Sequence, residues 1–179
     1  MEAWENIASL KEFEDYRIRK GPVPIFDQAS YNLSFQRCSE NKCGCFGTNW
    51  ACNPGAKMDV QEYYRGIDYV IVMSRTFEIS PKDFDALKDI NPDMQRAVRR
   101  MVILLRDNGV ECDGFLDGPC LYCGECAYPE PCRFPEMRTP SLSTLGIGLK
   151  GYFERMGETF SFEDDRVTLY GFVFVHARG

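Results

Sequence analysis

The sequence predicts an α/β fold, with α+β as the variant: a small mixed sheet covered by helices, carrying two cysteine-rich loops. Three observations predict it. Tyr69–Met73 is a run of β-branched and aromatic residues, the composition of a buried strand. Met94, Ala97, Val98, Met101, Val102 and Leu105 recur at helical spacing and make an apolar stripe. Eight of the nine cysteines fall into two groups of four, Cys38, Cys43, Cys45 and Cys52, then Cys120, Cys123, Cys126 and Cys132. Taken in chain order the candidates run strand, helix, strand, cysteine loop, helix, strand, which suits a helix-covered sheet with the second loop at its edge. A chain of 179 residues, 44% of them hydrophobic, is long enough for one domain, residues 1–179, with its own core.

Residues 1–22 read as an N-terminal helix, because Trp4, Ile7, Leu10, Phe13 and Tyr16 recur every third residue until Gly21-Pro22 stops the pattern. Val23 to Gly55 is punctuated by prolines and glycines and reads as irregular. It contains the first cysteine motif, residues 38–54. Met58–Arg65 is a short helix and the Tyr69 strand extends toward Phe77. Ser80-Pro81 with Asp83 supplies an N-cap, a first-turn proline and an early acid, so a helix is expected from there, interrupted near Asn91-Pro92 and ended by Asn108-Gly109. A short strand over Val110–Leu116 leads into the second motif, residues 120–135. Ser141 or Ser143 caps a helix running to about Met156, and Val167–Val175 is the last strand.

Composition narrows the chemistry. There are 27 acidic against 21 basic side chains and the formal charge is −6, the wrong sign for a nucleic-acid binder. Arg96, Arg99, Arg100 and Arg106 read as one solvated helix face. With no apolar run of about 18 residues and no leader-like opening, a soluble cytoplasmic protein is expected, with no membrane partner and with thiols kept reduced. An odd cysteine count and a core-forming length also argue against a disulfide framework.

The second group has the clearest chemistry. Three thiols at three-residue intervals in Cys120-Leu-Tyr-Cys-Gly-Glu-Cys126 wrap one face of an iron-sulfur cubane, and Cys132, before Arg133-Phe134-Pro135, closes the fourth corner. Structural zinc is the alternative, but zinc usually takes two separated Cys-x2-Cys hooks. The first group, Cys38-x4-Cys43-Gly-Cys45-x6-Cys52, is less diagnostic. It fits a second cluster, with Gly44, Gly47 and Gly55 letting the backbone curl around it, or zinc. Without Cys45, three thiolates would leave one iron open, and a fourth cysteine exchanged between the two sites is also compatible with the spacing. Cys112, on a strand, is read as a small core hydrophobe, and His176, the lone histidine, as an exposed residue near the C-terminus.

The stretch Cys38-Ser-Glu-Asn-Lys-Cys-Gly-Cys-Phe-Gly-Thr-Asn-Trp-Ala-Cys52-Asn-Pro54, with Cys120 to Cys132, Arg133, Pro135, Pro140-Ser141 and Gly146-Ile147, resembles the DUF2284 family of predicted metal-binding proteins over about residues 38–157. The resemblance implies a metal-ligand role for Cys38, Cys43 and Cys52 and for Cys120, Cys123, Cys126 and Cys132. Two positions depart from the family pattern: Cys45 stands where a non-cysteine is usual, and Asn53 replaces the first proline of Cys-Pro-Pro. The resemblance implies metal binding and no particular activity.

The functional expectation is an iron-sulfur protein with two 4Fe-4S clusters, ligated by all eight cysteines, that moves single electrons to or from a protein redox partner or larger oxidoreductase complex. Two clusters would carry the formal charge from −6 to about −10, suiting a basic partner surface. No nicotinamide, flavin or P-loop fingerprint accompanies them. The alternatives are a cluster-based enzyme or maturation factor with an open iron, and a zinc-stabilised interaction module. Glu40, Asp59, Glu62, Glu125 and Glu130 are the acids near the motifs, and Tyr31, Trp50 and Tyr122 the aromatics. Each also has an ordinary surface or packing reading, and oligomeric state is not legible.

Overall fold

In the computed structural model, which describes residues 2–178, a four-stranded sheet forms the middle layer. Its strands are β1 (Arg17–Gly21), β2 (Ile67–Phe77), β3 (Cys112–Leu116) and β4 (Val167–His176), in the order β1-β2-β4-β3. The helices are α1 (Ala3–Ala8), α2 (Gln28–Ser39), α3 (Val60–Arg65), α4 (Phe84–Asp107) and α5 (Leu149–Arg155). The mixed helix-and-sheet class expected from the sequence is the class found. The sheet itself is not the mixed one expected: every strand pairing within it is antiparallel, because β4 at the end of the chain inserts between β2 and β3 and runs against both.

Alternation along β2 and β4 makes the sheet two-sided. Ile71, Met73, Val173 and Val175 face one core, where the α4 stripe from Met94 to Leu105 covers them together with Ile7 and Phe13. Val70, Val72, Phe172 and Phe174 face the other, under Val60 and Tyr64 of α3, Leu142, Leu145, and Tyr152 and Phe153 of α5. Successive strand side chains point to opposite faces, so both faces of the central strands are apolar.

Several element boundaries differ from the sequence reading. The N-terminal helix expected over residues 1–22 is helical only at α1 and in a 3-10 turn at Lys11–Phe13; Arg17–Gly21 instead form an edge strand on β2. Arg17, Arg19 and Lys20 suit an edge, where charge discourages further pairing. Within the segment read as irregular, α2 forms on an N-cap in which Asp27 accepts from the amides of Ala29 and Ser30. The expected interruption at Asn91-Pro92 is absent, and α4 runs through Pro92 for 24 residues. An interior proline costs about 3 kcal/mol, whereas each of the six buried stripe residues contributes about 1.5–3 kcal/mol or, for alanine, less. The cap of α4 is Asp83, not Ser80. The helix expected from Ser141 to Met156 divides into a 3-10 turn at Leu142–Thr144 and α5.

Candidate metal centre

The sheet brings both cysteine motifs to one place. Cys38 lies in the last turn of α2, and the chain then loops through Cys43, Cys45 and Cys52 before α3. The second motif leaves the end of β3 at Leu116 and returns through Pro140, whose carbonyl accepts from the Leu116 amide at 3.1 Å. One residue on, the Ser141 amide donates to the Ala51 carbonyl at 2.8 Å, which pins the first loop against the stem of the second.

From that pin the loops interlock. Asn49, buried, donates through Nδ2 to the Cys120 carbonyl at 3.3 Å, and its Oδ1 accepts from the Ala51 amide at 2.9 Å. The Trp50 amide donates to Cys126 Sγ at 3.4 Å, and the Trp50 indole donates to the Glu130 carbonyl at 2.8 Å. The same indole stands edge-on to Tyr128, with ring centroids 4.9 Å apart. Gly44 and Gly124, at φ values of +73° and +71°, reverse the chain between cysteines in the two loops, a left-handed conformation that glycine adopts without penalty.

The second loop is also clamped from α4. Gln95 is fully buried; its Nε2 donates to the Pro119 carbonyl at 2.6 Å, and its Oε1 accepts from the Leu121 amide at 2.9 Å. Arg99, one turn on, donates to the same Oε1 at 3.2 Å and to Thr139 Oγ1 at 3.4 Å, with its guanidinium 5.3 Å from the centre of the Tyr122 ring. Burial holds the Arg99 pKa below its usual value, and the neighbouring Cys120 and Tyr122 oppose that shift. Arg133 donates to the Glu125 carbonyl within the loop.

All nine cysteines are free thiols. Burial pushes the Cys52 thiol up to about 12, reinforced by Cys45, Cys43, Cys38 and Cys120, all close enough to act on it electrostatically. Burial and then Cys43 likewise raise Cys45, whose Sγ lies 3.4 Å from the Cys43 carbonyl. Cys38 Sγ is 3.7 Å from Ser143 Oγ. The first four thiols thus form a neighbourhood that includes Cys120 of the second group. Cys112 stands apart, buried in the core beneath α4. Among the described residues no three His, Cys, Asp or Glu side chains close around a single-ion site.

A family model described as a predicted metal-binding protein, DUF2284, matches residues 30–175. The chain belongs to the DUF2284 family. The match takes in both cysteine loops and the sheet from β2 to almost the end of β4, a wider span than the resemblance carried by the motifs alone. No curated protein and no solved structure matches the chain.

The residues fit the metal chemistry that DUF2284 membership implies. Eight thiols are available as soft ligands, an amide already points at one of their sulfurs, and Asn53, next to Cys52, is 2% exposed with its Nδ2 donor lacking any acceptor among the described residues. A buried donor left unpaired costs about 1–3 kcal/mol, and a metal-bound sulfur beside Cys52 is an acceptor that would relieve it.

The remaining candidates resolve into ordinary roles. Asp59 caps α3 through the Glu62 amide, Glu62 pairs with Arg65, and Glu40 pairs with Lys42. Glu125 and Glu130 are exposed. Tyr31 packs on Phe26 and Tyr122 on Phe134. His176, expected to be exposed, is half-buried on β4 with Nε2 2.7 Å from Asp113 Oδ2. Gln95, Asn49, Asn53 and Arg99 are the site residues that the sequence reading missed. Gln95 had a signal, a polar residue inside the buried arc of the α4 stripe.

Proposed function

We propose that the protein is a two-cluster iron-sulfur carrier, with Cys38, Cys43, Cys45 and Cys52 holding one 4Fe-4S cluster and Cys120, Cys123, Cys126 and Cys132 the other. Such clusters exchange one electron at a time when bound. The observation that carries the reading is the interlock of the two loops: the Trp50 amide of one donates to Cys126 Sγ of the other, and Cys120 acts electrostatically on Cys52. Centres so close suit an electron path through the protein better than two separate structural staples.

The chain's own residues would tune that path. A backbone amide aimed at a cysteine sulfur stabilises added negative charge and raises a reduction potential. The Arg99 cation beside Cys120 acts in the same sense, while burial of Cys52 disfavours charge at the first site. Cys45 joins the ligand set in this reading as a partly buried thiol of the first loop, between Cys43 and Cys52. Around one zinc, thiolates at 2.3 Å from the metal lie about 3.8 Å apart. A cubane spreads its corners more widely, which suits two loops that each supply four thiols.

The partner would be a protein redox enzyme with a basic docking face, since the carrier is acidic before any cluster is added. The deciding experiment measures iron, acid-labile sulfide and zinc per chain on protein purified without oxygen, together with its visible spectrum. About eight irons and eight sulfides with a broad band near about 400 nm are expected. One or two zincs without sulfide would replace the electron carrier with a zinc-stabilised module.

A further inference from the structure

At the outer edge of β3, between α4 and the α3 face of the sheet, lies a cavity of about 140 Å³ lined by Tyr63, Arg99, Arg106, Asp113, Arg138 and Thr139, among others. Its charges are unevenly matched. Arg106 is committed: it donates to the Cys112 and Glu136 carbonyls and pairs with Asp113. Asp113 is committed too, accepting from the Tyr63 hydroxyl at 3.2 Å and meeting His176 at 2.7 Å. Neither Arg99 nor Arg138 has a carboxylate within ion-pair distance among the described residues, and the half-buried Arg138 side chain has no hydrogen bond there. The other lining carboxylate, Glu136, is exposed and in no ion pair. Three guanidinium groups against two carboxylates leave the cavity one positive charge in excess.

We infer that this cavity binds a small monocarboxylate, held by Arg138 and Arg99. The planar guanidinium fork matches a carboxylate in bidentate fashion, and a single excess charge calls for a monoanion. At about 140 Å³ the cavity is below the roughly 300–1,000 Å³ of drug-sized ligand pockets and suits a molecule of only a few heavy atoms. Val102, Ile103 and Phe115 add apolar lining, which suits a short hydrocarbon chain beside the carboxylate. Thr139, buried with its Oγ1 accepting from Arg99, has its hydroxyl hydrogen left to donate. Arg99 also stands beside Cys120, so the ligand would sit one side chain away from the second cysteine loop. The cavity lining alone defines the site, and Arg99 is the side chain it shares with the second cysteine loop.

Isothermal titration of the full-length protein, purified without oxygen, tests it with propionate, its neutral isostere propionamide, and inorganic phosphate. Saturable binding of propionate is expected, with propionamide at least about tenfold weaker because the charge-assisted bonds are lost. Arg138→Gln should weaken propionate about tenfold or more, and Arg138→Lys, which keeps the charge but not the fork, should fall between. Arg37→Gln, on α2, should bind as the unaltered protein does. Because the Arg138 side chain makes no hydrogen bond, its replacement leaves the fold intact, which a melting curve on each variant checks. Equal binding of propionate and propionamide, or an Arg138→Gln variant that binds propionate normally, would overturn the site. Tighter binding of phosphate than of propionate would overturn the monocarboxylate class.

Discussion

Gln95 is where a single substitution should separate the helical body from the second cysteine loop. Its amide satisfies two backbone groups of that loop, the Pro119 carbonyl at 2.6 Å and the Leu121 amide at 2.9 Å, from a position with no solvent exposure. Gln95→Leu conserves most of the volume and removes both loop bonds along with the one from Arg99, leaving two loop groups without partners at about 1–3 kcal/mol each. A total near 3 kcal/mol corresponds to about 6–12 °C in melting temperature for a chain of this length. Gln95→Glu should be milder: its carboxylate still accepts from Leu121 and from Arg99 but meets the Pro119 carbonyl with an acceptor instead of a donor. Calorimetry gives the stability, and iron and sulfide on the same samples give the occupancy. Gln95→Leu should melt lowest and lose about half of its metal, from the second site; Gln95→Glu should lie between it and the unaltered protein. A Gln95→Leu protein that melts within about 2 °C of the parent, with its metal intact, would refute the clamp.

The remaining expectations concern the cysteine loops and the core. Cys45→Ser should reduce iron and sulfide by about half, since a cubane takes four cysteine ligands; unchanged content would show the first site to be a three-cysteine site with an open iron. Asn53→Ala should move the potential of the first centre to a more negative value in a redox titration followed by electron paramagnetic resonance, because a buried donor next to Cys52, without an acceptor among the described residues, is lost; an unchanged or more positive potential would show that Nδ2 does not serve the metal. Cys112→Ala should lose about 1 kcal/mol in denaturant unfolding by leaving a small void under α4, with metal content unaltered. Metal loss there would place Cys112 in the ligand set after all.

The central layer was legible because its residues are there for one reason. In β2, β4 and the α4 stripe, apolar period and burial coincide, so Val70, Met101 and Phe174 announce their elements. The sequence was silent where structure does not come from burial. α2 has no buried residue and no apolar stripe; only the Asp27 cap marked it. β1 alternates charged residues around Ile18 and is a strand because β2 offers it an edge, a partner that no local pattern reveals. Pro92 misled in the opposite direction, since a local helix breaker was overridden by packing further along the same helix. For the metal centre, cysteine spacing delivered the candidate ligands but not their supports. Asn49, Gln95 and Arg99 come from two segments far apart in sequence and meet only when β3 carries the second loop to the first.

That dependence explains why cysteine loops of this size come with so large an α/β body. Neither loop has a core of its own: Asn49 and Trp50 hold the first through groups of the second, and Gln95 and Pro140 hold the second through α4 and β3. The distance between the two cysteine groups is therefore set by the buried core where α4 packs on β3 and β4. Loops free to move would vary that separation with every fluctuation, and the electron exchange proposed above between two clusters would be steeply sensitive to it. Anchoring both loops at the end of one edge strand fixes the separation while leaving Cys43, Leu121 and Tyr122 exposed at the surface, where the redox partner proposed above would approach each motif without the core having to open.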